Sequence, residues 1–435
     1  MYSDIDELKS TEQKCPIDRC KVPLTYIFEQ PLLRLGDWAL KLVVVLGFAF
    51  AGWLFWKLLN YAQALSEFQC TAATILFILL PINGARVGLS TARSSYLLPV
   101  FLLGALFLTY RKALLSGMGY LLVLYAGFWP SYQIYVVAIM ALLATHDRFV
   151  RGSISRRTWL VAVWLAFVPF IHRYFLEDLM VELGFSGAPG SYNSIRSTFL
   201  IRAVLVCGLL SAPFIISLIR VLRRQKSLLN WNPKLSSVGM FLLALGTFPY
   251  MAVGHFANLS DWVTPWLPDN SDWDSRHQLL QGPGFAIIIT SMLISLVNLQ
   301  RRNSSLLTIV AISVALSVGT YSNYHVDGLK QRDVISDLQA AAPEFDGVLL
   351  ISFRDQSIDL NARGRKIRDY EWKGLAEKAL QKPISIWEES APKKGCRAQV
   401  LGKTVTVRKT SGRLIATLTR RRVASIEITD LVACR

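Results

Sequence analysis

Residues Phe285–Leu299 read FAIIITSMLISLVNL, an uncharged run that is apolar on every side of a helix. A soluble amphipathic helix keeps one polar face, so a run of this kind belongs in a membrane. Working outward, the same pattern recurs from Trp38 to Thr320. The blocks are Trp38–Leu59, Thr71–Ile82, Tyr96–Tyr110, Ala113–Trp129, Tyr132–Thr145, Trp159–Ile171, Phe199–Ile219, Val238–Val253, Gly284–Leu299 and Leu306–Val318. About 20 apolar residues span the hydrocarbon core, and shorter runs span when their flanks snorkel. The expected fold is an all-α polytopic membrane domain of about ten transmembrane helices plus a small C-terminal α/β or α+β soluble domain. The expected boundaries are a polar N-terminal segment 1–37, the membrane domain 38–320 and an extracytoplasmic C-terminal domain 321–435.

The net charge of +17 is mostly explained by the short connectors. Arg148, Arg151, Arg156 and Arg157 lie in 146–157, and Arg220, Arg223, Arg224, Lys226 and Lys234 in 220–234. Arg301 and Arg302 lie in 300–305. Positive connectors stay on the cytoplasmic side, so the longer, acidic-leaning loops 172–198 and 254–283 are expected outside. The tenth block then delivers 321–435 outward. No basic patch is interleaved with exposed aromatic residues, so nucleic acid is not an expected partner. The lipid bilayer is.

The first half leaves two arrangements open. Five blocks before an inside connector put the N-terminus outside, whereas an inside N-terminus needs an even number of crossings. Block 71–82 is short and ends near Pro81, as a half-span would, and Trp129-Pro130-Ser131 offers a break. The first 35 residues lack the basic, then apolar, then small-residue pattern of a cleaved signal, so the first apolar block is expected to direct insertion.

In the C-terminal part, 327–342 (DGLKQRDVISDLQAAA) and 369–381 (DYEWKGLAEKALQ) have helical spacing, and GVLLISF (347–353) reads as a buried strand. AQVL, KTVTVRKT and RLIATLTRRRVASIEI read as strands and hairpins, with turn signals at Gly402 and Ser411-Gly412. The polar residues after the strand, Arg354, Asp355, Asp359 and Asn361, occupy a frequent site position in α/β folds. The ordinary alternative is a charged surface beside lipid headgroups, with Arg363, Arg365, Lys366 and Arg368 forming a basic stripe. Cys396 and Cys434 are the domain's two cysteines and are expected to pair in an oxidising compartment. Cys70 and Cys207 fall in apolar blocks, where a thiol acts as a small hydrophobe.

Chemistry concentrates in the outer loop after the eighth block. It carries Asp261, Asp269, Asp272 and Asp274, Trp262, Trp266 and Trp273, and then Ser275-Arg276-His277. A carboxylate beside a sugar hydroxyl serves as general base, and a tryptophan face stacks on a sugar ring. An arginine just above an apolar span holds phosphate through its planar fork. Interfacial tryptophans and acidic outer loops also occur with no such role. Loop 172–198 adds His172, Arg173, Glu177, Asp178 and Glu182, spaced as on a short helix lying at the surface. The sequence holds no P-loop, G-x-S-x-G, H-E-x-x-H or dinucleotide fingerprint, and the five histidines are isolated. It names neither a metal nor a cofactor.

The stretch DSRHQLLQGPGFAIIIT (274–290) resembles the outer-face element of GT-C-fold glycosyltransferases, in which Arg and then Tyr or His precede a Leu, a Pro and an apolar span. Arg276, His277 and Leu279 match, and Pro283 lies two positions later than in the family. The family's acidic pair in the first outer loop is missing from 83–95 (NGARVGLSTARSS). The resemblance implies transfer or polymerisation of sugars from polyprenyl-phosphate carriers at the outer face, in cell-envelope glycan assembly. Arg276 would bind the carrier phosphate, Asp272 or Asp274 act as base, and His277 act as second phosphate or proton-transfer group. Trp273 and Trp266 would supply stacking, with Arg173 assisting at the substrate. The rival expectations are a membrane scaffold or partner-binding subunit, and a transporter or flippase of a lipid-linked or anionic substrate.

Overall fold

The computed structural model describes residues 37–63, 65–79, 92–110, 112–127, 130–171, 196–223, 234–252, 280–297, 301–348, 350–361, 367, 369–386, 399–412 and 421–434. Each of the ten apolar blocks forms a helix. These are α1 (Asp37–Ala62), α2 (Glu67–Leu79), α3 (Ala92–Leu108), α4 (Ala113–Gly127), α5 (Pro130–Arg151), α6 (Arg156–Ile171), α7 (Ser197–Arg223), α8 (Leu235–Ala252), α9 (Gly282–Leu296) and α10 (Arg302–Ala340). Four of them, α1, α7, α8 and α10, are long and apolar enough to cross a membrane unaided. Large side chains such as Leu200, Ile201, Leu205 and Leu209 on α7 are exposed, as lipid-facing residues are. The chain is an integral membrane protein.

Between helices in lipid there is little hydrophobic drive, so close backbone approach does the packing, and glycine permits it. A Cβ on Gly119 of α4 would lie 2.8 Å from the Leu108 nitrogen of α3. On α8 and α9, a Cβ on Gly246 would lie 2.3 Å from the Leu280 oxygen, and one on Gly284 would lie 2.5 Å from the Leu243 nitrogen. One apolar core runs through α1 to α6, with Leu245, Leu280, Ala286 and Ile287 from α8, α9 and the turn before α9. Cys70 and Cys207 are buried free thiols on α2 and α7.

The tenth block and the helix expected over 327–342 are a single helix. α10 runs 39 residues without a break, about 58 Å at 1.5 Å per residue. Its far end packs on a four-stranded sheet in the order β2-β1-β3-β4, where β1 is Leu350–Asp355, β2 Ser385–Ile386, β3 Gln399–Lys409 and β4 Ala424–Cys434. β1 runs parallel to β2 and β3, and β4 is antiparallel to β3. Helix α11 (Asp369–Leu380) connects β1 to β2. Val326, Leu329, Val334 and Leu338 of α10 share a core with Trp372, Leu375 and Ala376 of α11 and Ile351, Val405 and Val407 of the sheet.

One expectation is corrected here. Gly402 is not a turn but lies inside β3, opposite Leu431 of β4. Its reason is proximity, since a Cβ there would lie 2.6 Å from the Leu350 oxygen. The start of edge strand β4 is covered by α10, whose carboxylates accept from the backbone there and from the residue before it. Asp333 Oδ2 takes Val423 N at 2.7 Å, and Asp337 Oδ2 takes Ile426 N at 3.1 Å. Covering an edge in this way removes a template for unwanted pairing.

Candidate functional sites

Trp266, Asp272, Trp273, Asp274, Arg276 and His277, and likewise Arg173, lie outside the described residues, as does Cys396 of the expected disulfide. The structure does place the ground on which the stretch holding most of them ends. Leu280 and Gln281 are 3% and 1% exposed, enclosed before α9 begins. The Tyr135 hydroxyl of α5 lies 2.6 Å from the Leu280 carbonyl oxygen and 2.9 Å from that of Leu242, so it ties α5, α8 and the start of α9 together. Gly282 lies against Phe77 of α2.

The levels of these helix ends matter. α8 passes Leu280 at Gly246 and continues six residues to Ala252, about 9 Å further. α2 ends at Leu79, whose carbonyl accepts from Ser317 of α10 at 2.5 Å, and α10 continues far beyond. α2 has 13 residues and α9 has 15, about 20 and 22 Å. The N-terminus of α9 meets α2 at Phe77, and α8 runs past that point to Ala252. At that meeting Gln281 is the N-cap residue of α9, yet its side chain makes no cap bond and its carbonyl oxygen has no hydrogen-bond partner.

A second polar centre lies at the end of β1. Alternation turns Ile351, Phe353 and Asp355 toward the helices. Lys330 of α10 is fully buried, and its Nζ donates to Asp355 Oδ2 at 2.6 Å, Asn361 Oδ1 at 2.5 Å and the Ser357 carbonyl at 3.2 Å. Asp355 also accepts from Ser357 N and Oγ, each at 2.9 Å, and from Asn361 Nδ2 at 3.0 Å. Trp372 stacks on Phe353 at 4.6 Å, with the Lys330 ammonium 6.0 Å from its ring. Burial pushes the Asp355 carboxyl up. The Lys330 charge and the hydrogen bonds from Lys330, Asn361 and Ser357 outweigh it and hold the group below its ordinary range.

Of the four residues singled out after β1, the structure brings Asp355 and Asn361 together. Asp359 is exposed and pairs with Lys409, while Arg354 points from the opposite face of β1. Arg363, Arg365, Lys366 and Arg368 lie outside the described residues. Each of the three ammonium protons of Lys330 has an acceptor, so the group serves as a clamp and is not available as a nucleophile or base. Lys330 was missed in a polar run. Its spacing carried a signal, since it lies four residues from both Val326 and Val334, which are fully buried. Among the described residues, no three His, Cys, Asp or Glu side chains stand close enough to hold a metal ion. The chain matches no family model, no curated protein and no solved structure.

Proposed function

We propose that the chain crosses the bilayer ten times, holds its C-terminal domain outside, and works in cell-envelope glycan assembly, transferring or polymerising polyprenyl-linked sugars at the outer face. The observation that carries this reading is the stretch DWDSRHQ (272–278), which leads directly into the enclosed Leu280–Gln281 start of α9. Carboxylates, an arginine fork, an imidazole and a tryptophan face thus precede an anchored point of the chain. In this reading Arg276 binds the carrier phosphate, Asp272 or Asp274 takes the acceptor proton and Trp273 stacks on the sugar. The test is an assay of the full chain in lipid nanodiscs with a panel of polyprenyl-phosphate and polyprenyl-pyrophosphate sugars. Transfer to an acceptor is expected. No transfer from any donor by well-folded protein overturns the reading.

A second reading is a non-catalytic subunit whose outer domain recognises another envelope component. The observation that favours it is the saturated Lys330 centre, which fixes the domain on α10 and leaves no free reactive group there. Co-purification of a specific envelope protein, lost when 342–435 is replaced by an unrelated domain, distinguishes it.

A further inference from the structure

Strand β4 is capped over only part of its length. Its backbone alternates, so the N–H and C=O groups of Ala424, Ile426, Ile428, Asp430 and Val432 point away from β3. Asp333 and Asp337 of α10 accept from Ala424 N and Ile426 N, and the Arg422 guanidinium donates to the Ala424 carbonyl. From Ile428 onward no hydrogen bond reaches these outward groups among the described residues, and the Asp430 side chain is 81% exposed. Residues 428–434, about 23 Å of edge, thus stand open beyond the cover that α10 gives. An open edge is a template for one more strand.

The N-terminal segment emerges on the same face as this edge. α1 and α2 form a hairpin, in which Gly52 meets Thr74 and Ile78 near the end of α2. α9 starts at Phe77 of α2 and runs back, and α10 then returns beside α2, where Ser317 donates to the Leu79 carbonyl. α10 therefore runs opposite to α1. From Gly52, α1 extends 15 residues back to Asp37, about 22 Å, and the same rise from Ser317 reaches Arg332, beside the Asp333 cap. α1 and α10 both pack on α2, so their axes lie within about 20 Å of each other.

The chain ahead of Asp37 holds a run with strand chemistry. Leu24–Glu29 reads LTYIFE, rich in β-branched and aromatic residues and flanked by Pro23 and Pro31. Leu24, Tyr26 and Phe28 fall on one face of such a strand, as Ile428 and Val432 do on β4. Thr25 and Glu29 fall on the other, as Thr429 does. The eight residues from Glu29 to Asp37 extend to about 26 Å, enough to bridge from α1 to the stem. Charge favours the same docking, since residues 1–12 carry four carboxylates and one lysine. Residues 341–435 carry nineteen Lys and Arg against eleven Asp and Glu.

We propose that Leu24–Glu29 adds to the sheet as a fifth strand, antiparallel to β4 along Ile428–Cys434. Glu29, the end nearer α1, meets Ile428, and Leu24 lies toward Cys434. The N-terminal segment then straps the C-terminal domain to α1, so the domain is held at two points, α10 and α1. The pairing holds whether the chain catalyses transfer or serves as a partner-binding subunit.

The test is residue-resolved hydrogen exchange of the full chain in lipid nanodiscs. The amides of Ile428 and Asp430 are expected to be protected, although they point away from β3. Tyr26→Pro and Ile27→Pro place a proline in either phase of the added strand, so one of them removes a ladder donor. That variant should speed exchange at Ile428 and Asp430 at least about tenfold, while Thr429, bonded to β3, keeps its protection. As a second measurement, cysteines placed one at a time over 24–29 are paired with Thr429→Cys, with the six native cysteines replaced by alanine. Oxidation should then join the two within one chain. A crosslink confined to one chain supports the pairing even where a proline variant loosens the whole sheet. Unprotected Ile428 and Asp430 amides in the wild type overturn the proposal, as does protection that both proline variants retain. Protection seen only when a disc holds two chains, or a crosslink between chains, gives the edge to a second copy and overturns it as well.

Discussion

Lys330, on the helix that begins at Arg302, reaches Asp355 at the end of β1 with its ammonium 2.6 Å from Oδ2, and no part of its side chain is exposed. Breaking a buried pair strands a charge, whereas replacing both members need not. Asp355→Asn is therefore expected to destabilise the C-terminal domain by about 3–5 kcal/mol. Lys330→Met should cost less, about 1–3 kcal/mol, because Asp355 keeps its Ser357 and Asn361 donors and some solvent contact. The double variant Lys330→Met/Asp355→Leu should be less damaging than Asp355→Asn alone. Hydrogen exchange of β1 reads all three. Because the Asp355 carboxyl is held below its ordinary range, its contribution is present above about pH 4, the unfolded value, and is lost as pH falls through the lower folded value. β1 protection unchanged between pH 7 and pH 2 would contradict this.

Gly246 admits the Leu280 carbonyl to within the reach of a missing methyl. Gly246→Ala should cost about 1–3 kcal/mol by overpacking and should push the start of α9 outward. Gly208, which has open space around it, makes the control, and Gly208→Ala should melt like the wild type. Equal thermal midpoints for the two variants would disprove the close approach.

The topology is tested by position. Single cysteines placed in 146–157, 220–234 and 300–305 should resist a membrane-impermeant reagent in intact cells, and a reporter fused after Arg435 should be active outside. A C-terminal reporter active only in the cytoplasm would invert the arrangement.

The register of β3 and β4 sets Cys434 opposite Gln399, three residues after Cys396. A disulfide between Cys396 and Cys434 would tie the end of the edge strand to the approach to β3, stabilising by about 3–4 kcal/mol from chain entropy. Free labelling of both thiols in unreduced protein, or Cα atoms more than about 7 Å apart, rules it out.

Arg276→Ala is expected to abolish sugar transfer while expression and insertion stay normal. Arg276→Lys should restore little, since a point charge cannot reproduce the bidentate fork. Wild-type glycan production by Arg276→Ala removes the phosphate-binding role.

The helices were legible because an apolar run of this length has one physical outcome, and β1 and α11 were legible from their periods. Two features were not. Gly402 reads as a turn, and only the approach of β1 at Leu350 explains it. The continuity of α10 was hidden because polar residues begin at His325 and Asp327, although the helix goes on to bury Val326, Leu329, Val334 and Leu338 in the core it shares with the sheet. Before α9 the polar stretch was visible. The close approach of Leu280 to Gly246 was not, because it depends on how α8 lies alongside.

The unbroken course of α10 makes it a lever. From Ser317, where it is hydrogen-bonded to α2, to Ala340 beside the C-terminal sheet is about 34 Å of helix. A change of about 10° in tilt, of the size that bilayer thickness imposes on a spanning helix, carries the far end through about 6 Å. A C-terminal domain carried on such a stem would be displaced by any change in the tilt of the helix that holds it.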